Sequence, residues 1–307
     1  MAIKNKNSLR DKNLISIGEL TRSEIEIVLS LAKSFKRQKN HRYLENKIIA
    51  MAFFEPSTRT RLSFETAVLR LAGKVIGFSD TRSTSLAKGE SLEDTVRMLS
   101  SYADAIVIRH PDSQSAFRAS KVSTVPVLNG GDGDGEHPTQ TLLDLFSILE
   151  TQGKIDGLTI GLSGDLKYGR TVHSLAKALK YYKVKLILMS DPLLAMPEKI
   201  IQECQESGLK IELREKLDLT EIDVLYMTRY QKERWSHELD GVEPFVLSAA
   251  DLLKVPAHFK ILHPLPRVNE LSTDVDLTPY AYYFQQAENG LFVRQALLSL
   301  ILSDIRF

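Results

Sequence analysis

The sequence predicts an α/β protein built as two parallel-sheet lobes with a cleft between them. Three observations carry that expectation. Apolar runs such as Ile48-Ile49-Ala50-Met51-Ala52 and Ala105-Ile106-Val107-Ile108 are short and continuous, as in strands buried on both faces of a parallel sheet. They alternate with stretches of helical periodicity, the signature of helices covering such a sheet. The alternation breaks at the glycine-rich segment 129–135 and resumes after Gly153, which divides the chain in two.

Thr21-Arg22-Ser23-Glu24 is a capping-box signature, and Ile25, Val28, Leu29, Ala32 and Phe35 then recur at helical spacing. A strand over 48–54 precedes a helix near 60–72 and a strand over 74–78. A helix near 91–101 follows, with strands over 104–108 and 125–128. Segment 129–135 reads as a loop by composition. Leu142, Leu143, Phe146 and Leu149 mark a long helix. Strands are then expected over 157–163, 185–189, 209–213 and 222–227, with helices over 169–181 and 197–206. The last helix, about 290–304, is rich in Leu and Ile and needs a partner surface.

The chain has 307 residues, 43% of them hydrophobic and 26% charged, which suits a globular protein of one large or two medium domains. Lys and Arg total 40 against 39 Asp and Glu, so a formal net charge of +1 gives no support for a nucleic-acid or membrane-surface role. The single cysteine, Cys204, excludes an intrachain disulfide and reads as a structural thiol on a helix. The N-terminal stretch is polar, and no apolar run approaches the ~20 residues of a membrane span. A cytoplasmic protein is the expectation.

Polar groups cluster where strands are expected to end. Ser57-Thr58-Arg59-Thr60-Arg61 follows the first strand and opens a helix. Backbone N–H groups at a helix start favour an anion there, and Ser, Thr and Arg add hydroxyl donors and a bidentate fork. An ordinary N-cap with a solvated arginine face is the plain alternative. Arg109-His110-Pro111, His137-Pro138-Thr139-Gln140, Lys167-Tyr168-Gly169-Arg170, Thr228-Arg229-Tyr230-Gln231 and His263-Pro264-Leu265-Pro266-Arg267 stand at other expected element ends. Open α/β sheets bind ligands beyond the carboxyl ends of their strands. Arg or His at one end after another, in both lobes, implies a cleft for a polyanion.

Several other chemistries fail on spacing. No glycine pair is followed by Lys-Ser or Lys-Thr at P-loop distance, and Gly161-Leu162-Ser163-Gly164 is not GxGxxG. A calcium loop begun at Asp132 would need Glu at its last position, where Leu143 stands. His237-Glu238 lacks the second His of a zinc-protease motif, and the 7 histidines show no ligand spacing. No metal, no nucleotide and no cofactor are expected.

These clusters, taken in order, resemble the catalytic chains of the aspartate carbamoyltransferase family, within the wider aspartate/ornithine carbamoyltransferases. The matching stretches are 54–61, Arg109-His110-Pro111, His137-Pro138-Thr139-Gln140-Thr141, 164–174, 227–234 and 263–267, and the resemblance covers essentially the whole chain. It implies a carbamoyl-phosphate-binding domain over 1–138, a linking helix over 139–152, an aspartate-binding domain over 153–286 and a C-terminal helix over 287–307 returning to the first domain. The implied activity is that of a transferase in pyrimidine biosynthesis. Carbamoyl phosphate and L-aspartate would give N-carbamoyl-L-aspartate and phosphate.

By the same resemblance, Arg59, Thr60, Arg109 and His137 are catalytic. Carbamoyl phosphate would be bound by Ser57, Thr58, Arg59, Thr60, Arg109, His137 and Gln140, with backbone carbonyls at Pro264 and Leu265. Lys88, Arg170, Arg229 and Gln231 would bind L-aspartate. The family's loop reaches into a neighbouring subunit's site, so Lys88, with Ser85 or Thr84, would come from the neighbour in a homotrimer. The family includes both bare trimers and assemblies with zinc-bearing regulatory chains, where the zinc belongs to the partner. This chain departs from the family at Glu136, where Gln is usual, which changes the local charge. Ornithine carbamoyltransferase, expected to carry Cys near 263–266 and a Ser-Met-Gly loop in place of Arg229 and Gln231, is the nearest alternative. A non-catalytic ligand-binding relative is the other.

Overall fold

A computed structural model of the chain describes residues 7–38, 41–79, 88–235, 242 and 244–305. Ser85 and Thr84 lie outside them. The chain forms two compact units, Met1–Leu142 with Glu288–Phe307, and Leu143–Ala287.

In the first unit, α1 (Arg22–Arg37) starts at the capping box between Thr21 and Glu24 and buries Ile25, Val28, Leu29, Ala32 and Phe35. Then come β1 (Ile48–Phe53), α2 (Thr58–Arg70), β2 (Lys74–Phe78), α3 (Leu92–Tyr102), β3 (Ala105–His110), α4 (Ser115–Val122) and β4 (Val127–Asp132). The strands form one parallel sheet in the order β2-β1-β3-β4. Ala50, Ala52, Ile106, Ile108 and Val127 pack against Leu92 and Val96 of α3.

The structure corrects the reading of 129–135 as a loop, because Asn129–Asp132 belong to β4. Ile108 pairs with Asn129 and His110 with Asp132, so β4 carries an extra residue there, and the register shifts. Gly131, at φ 115, takes a backbone conformation that other residues adopt only at a cost. Glycines chosen for a bulge have the composition of a loop. The N-terminal segment runs alongside: Leu14 N–H donates to Val127 O at 2.9 Å, and Asn129 N–H donates to Leu14 O at 2.9 Å.

α5 (Pro138–Gln152) and α8 (Tyr283–Leu302) each contribute residues to both units. α8 starts earlier than the sequence suggests. Its apolar residues from Leu291 to Leu302 are buried. The second unit continues with β5 (Thr159–Ser163), α6 (Arg170–Leu179), β6 (Lys185–Met189), α7 (Glu198–Glu206), β7 (Lys210–Arg214), β8 (Val224–Met227) and β9 (Lys260–Leu262). Its sheet is also parallel, in the order β7-β6-β5-β8-β9. Cys204 is buried in α7, and loss of solvation with the nearby Glu203 pushes its thiol up to about 11, as suits an inert structural thiol. Among the described residues, no helix is long and apolar enough to cross a membrane.

Glu24 does more than close a capping box. Its carboxylate accepts from Ser8 Oγ at 2.8 Å, Lys12 Nζ at 2.9 Å and Thr21 N at 2.9 Å. Burial pulls its pKa up, but the bonds from Thr21, Lys12 and Ser8 outweigh that and hold it at about 2 against an ordinary 4.5. A depressed carboxyl stabilises the fold above its ordinary pKa, and that contribution is lost as pH falls through the folded value. The gap corresponds to about 3 kcal/mol at neutral pH. Glu24→Gln should therefore lower unfolding free energy most at neutral pH, with the difference from the parent shrinking as pH drops below 4.5. A difference that stays constant through acid titration would contradict this.

Candidate active site

The first unit gathers the residues expected to bind an anion at the carboxyl ends of its strands. β1 and β3 run in register with Phe53 level with Arg109. Ser57 is the N-cap of α2, and its hydroxyl makes no capping bond. Thr58, Arg59 and Thr60 form the first turn. Thr60 and His137 are both buried, with Thr60 Oγ1 3.5 Å from His137 Nε2, at the outer edge of hydrogen-bond reach. Gln140 is half-buried in the first turn of α5.

Arg109 is the most enclosed cation of the group. One Nη donates to Gly130 O at 3.0 Å, on the β4 bulge, and the other pairs with Glu55 Oε1 at 2.6 Å. Its buried Nε finds no partner among the described residues. Loss of solvation lowers the Arg109 pKa. Glu55 works against that fall, while the charge on Arg59 adds to it. Desolvation of its guanidinium end likewise lowers the pKa of Arg59, whose surface is otherwise exposed. Two arginines that feel each other's charge would both be relieved by a bound dianion. His110 is not part of this chemistry. Desolvation lowers its pKa, Asp112 N–H donates to its Nδ1 at 3.0 Å, and its ring packs on Phe54.

Glu136, the departure from the family pattern, bonds to the N-terminal segment. Ser16 Oγ donates to Oε1 at 2.9 Å and Ile17 N–H to Oε2 at 3.0 Å. A carboxylate accepts from both, where an amide would offer only one acceptor atom. Both carboxylate oxygens help fasten the N-terminal segment.

In the second unit, Asp165 organises the expected aspartate ligands. It is fully buried at the end of β5. Oδ1 accepts from Tyr168 N–H at 3.0 Å. Oδ2 accepts from Gln231 N–H at 3.0 Å and from Trp235 Nε1 at 3.1 Å. The preceding Gly164, at φ 113, lies so close to β8 that a Cβ would meet Thr228 O at 2.2 Å. Arg170 opens α6, and Arg229 lies just beyond β8; both are half-buried. Tyr230 Oη accepts from Phe245 N–H at 2.8 Å, and burial pushes its phenol up to about 12. It therefore stays neutral and acts as a prop.

Pro264 and Leu265 follow β9. Leu265 has φ 51, and the Leu265–Pro266 peptide is cis. Leu265 N–H donates to His263 Nδ1 at 2.8 Å, so Nε2 carries the ring proton and donates to Glu270 at 2.8 Å. Burial raises the Glu270 pKa, and bonds from His263 and the backbone more than reverse it. Arg267 is committed to Asp276, with one Nη donating to Oδ2 at 2.6 Å. Lys88 is exposed. Glu55, Asp165 and Glu270, whose charges hold the site residues in place, had no role in the sequence reading. Their signal was an acidic residue inside or just after an otherwise basic or apolar motif. Among the described residues, no group of acidic, His and Cys side chains could hold a metal ion.

The residues expected to bind phosphate stand on one parallel α/β unit, and Arg170 and Arg229 stand on another. The chain belongs to the aspartate/ornithine carbamoyltransferase family. Residues 12–150 match the family's carbamoyl-P binding domain and residues 156–301 its Asp/Orn binding domain. It is 52% identical over 297 residues to the aspartate carbamoyltransferase catalytic subunit of Chromobacterium violaceum, covering 95% of this chain and 98% of the relative. The Vibrio cholerae catalytic subunit is 51% identical, covering 97% of this chain and 99% of the relative. Among solved structures, aspartate transcarbamoylase from Trypanosoma cruzi in complex with carbamoyl phosphate and aspartate matches with TM-score 0.93 at 37% identity, covering 98% of this chain and 100% of that one. The catalytic subunit of M. Jannaschii aspartate transcarbamoylase matches with TM-score 0.86 at 45% identity, covering 94% of this chain and 97% of that one.

Proposed function

We propose that this chain transfers the carbamoyl group of carbamoyl phosphate to the α-amino group of L-aspartate, a step of pyrimidine biosynthesis in the cytoplasm. The observation that carries the reading is the Arg59–Thr60–Arg109–His137 group at the strand ends of the first unit. Arg170, Arg229 and Gln231 in the second unit accompany it. The amine nitrogen attacks the carbonyl carbon, the C–N bond forms, and the C–O bond to phosphate breaks. The departing phosphate takes the amine proton. Thr60, Arg109 and His137 direct donors at the carbonyl oxygen, where negative charge grows, so their interaction strengthens in the transition state. Ser57, Thr58, Arg59 and Arg109 hold the phosphate. Gln140 and the carbonyls of Pro264 and Leu265 hold the carbamoyl amide. Arg170, Arg229 and Gln231 grip the aspartate carboxylates, and paired arginines suit paired carboxylates. Positioning and electrostatics suffice without a covalent intermediate.

The direct test is carbamoyl-aspartate formation by the purified protein, with ornithine as the control acceptor. Turnover with ornithine and none with aspartate would overturn the assignment. Neither the arginines nor His137 has been lost, which is what a non-catalytic relative would show.

In this reading the active form is a homotrimer, with Lys88 and Ser85 or Thr84 supplied across the subunit boundary. Lys88→Ala and Arg229→Ala trimers should each be nearly inactive. Dissociated, mixed and reassembled, they should regain activity, because some hybrid sites combine an intact Lys88 from one chain with an intact Arg229 from another. Verified hybrids no more active than either parent would rule out sharing.

A further inference from the structure

A buried train of hydrogen bonds in the second unit ends on the backbone that leads into Pro264 and Leu265. Tyr226 Oη donates to Asp144 Oδ2 at 2.9 Å. Gln286 Nε2 donates to Asp144 Oδ1 at 2.6 Å, and Gln286 Oε1 accepts from His263 N–H at 2.7 Å. Tyr226, Asp144, Gln286 and His263 are each 1% exposed or less. They come from β8, α5, α8 and the end of β9.

The chemistry at each link fixes the residue type. A backbone N–H only donates, so Gln286 must present its oxygen to His263. Asp144 accepts at one oxygen from Tyr226 Oη and at the other from Gln286, so Gln286 presents its nitrogen there. A neutral amide of that length does both without depending on a titratable proton. The loop it supports is costly to hold: Leu265, at φ 51, lies in the left-handed region that a leucine rarely adopts. Such a conformation persists where the surroundings over-determine it. Here His263 is fixed at its N–H by Gln286, and at its ring by Leu265 N–H and Glu270.

We propose that Gln286, backed by Asp144 and Tyr226, is a positioning residue that aims the Pro264 and Leu265 carbonyls and so sets selectivity for a carbamoyl over an acyl donor. The proposal rests on the reading above in which those carbonyls hold the carbamoyl NH₂. Acetyl phosphate has a methyl group in that place and has no N–H to give. A site built to accept hydrogen bonds from a substrate discriminates strongly against an analogue lacking the donor.

The test measures kcat/KM for carbamoyl phosphate relative to acetyl phosphate, with aspartate as acceptor, on the full-length protein. The parent should prefer carbamoyl phosphate by about 10²-fold or more. Gln286→Leu should lose most of that preference, because small misplacements of a binding group cost about 10²-fold. Its activity with acetyl phosphate should change far less, an asymmetry that general loosening of the fold would not give. A folded Gln286→Leu with the parent's preference overturns the proposal. A second pair of variants decides the matter if that one does not fold. Gln286→Glu sets two carboxylates within reach of each other; one shared proton preserves the train of bonds at low pH, and the preference should be lost as pH rises and that proton leaves. Adding Asp144→Asn restores a donor facing position 286 and keeps an acceptor for Tyr226, so the preference should return. Failure of the double variant to recover it also overturns the proposal. A parent enzyme with no preference would instead show that the carbonyls do not hold the amide, a failure of the underlying reading.

Discussion

Arg59→Ala should lower turnover by about 10²–10³ or more, while the protein stays folded. Loss of one preorganised donor at a developing charge typically costs that much, and Arg59 supplies a full charge besides a donor. The fold should tolerate the change because Arg59 is exposed in the first turn of α2 and Arg61, Glu65 and the buried Phe64 are untouched. The remaining arginine should also respond. With the charge on Arg59 gone, one cause of the lowered Arg109 pKa disappears, but the partner for the second face of a phosphate goes with it. Carbamoyl-phosphate KM and kcat should both worsen, and circular dichroism should be unchanged. A folded variant with near-parental turnover would remove the phosphate role.

Arg229→Ala should impair the use of aspartate far more than that of carbamoyl phosphate. Arg229 belongs to the second unit, immediately after β8 and beside the segment that Asp165 fixes through Gln231 N–H. Removing one partner of a buried charge-assisted pair costs about 2–5 kcal/mol. The loss should fall on aspartate KM and kcat/KM, with carbamoyl-phosphate binding measured by calorimetry little changed. Equal weakening of both ligands would contradict the division of labour.

The regular elements were legible because their signals are local. The strands over 74–78 and 185–189 lie where the apolar runs put them, and α1 starts at its capping box. α4 was missed because what it buries is Ser115, Ala116 and Ala119, while Phe117 is exposed, so it carries no apolar stripe. The β4 bulge was read as a loop because glycine marks unusual backbone in either setting. The groups proposed to face the substrates are legible as basic and hydroxyl residues at strand ends. Their supports are not. Asp144 lies among Leu142, Leu143, Leu145 and Phe146, all buried, and Gln286 precedes the apolar run of α8. A polar residue within a buried helix signals a partner but does not say which, because the partner is remote in sequence.

The ion pair between Arg109 and Glu55 has a consequence for which anions this protein can bind. On the proposed reading, an incoming anion would meet a guanidinium already part-neutralised by Glu55, with its Nε still without a partner among the described residues. Chloride, acetate and other singly charged solutes would find little net attraction left there. A phosphoryl dianion would carry twice the charge and could engage Arg59 as well. The tethered carboxylate would then act as a threshold set in units of charge, ahead of any recognition of the carbamoyl group.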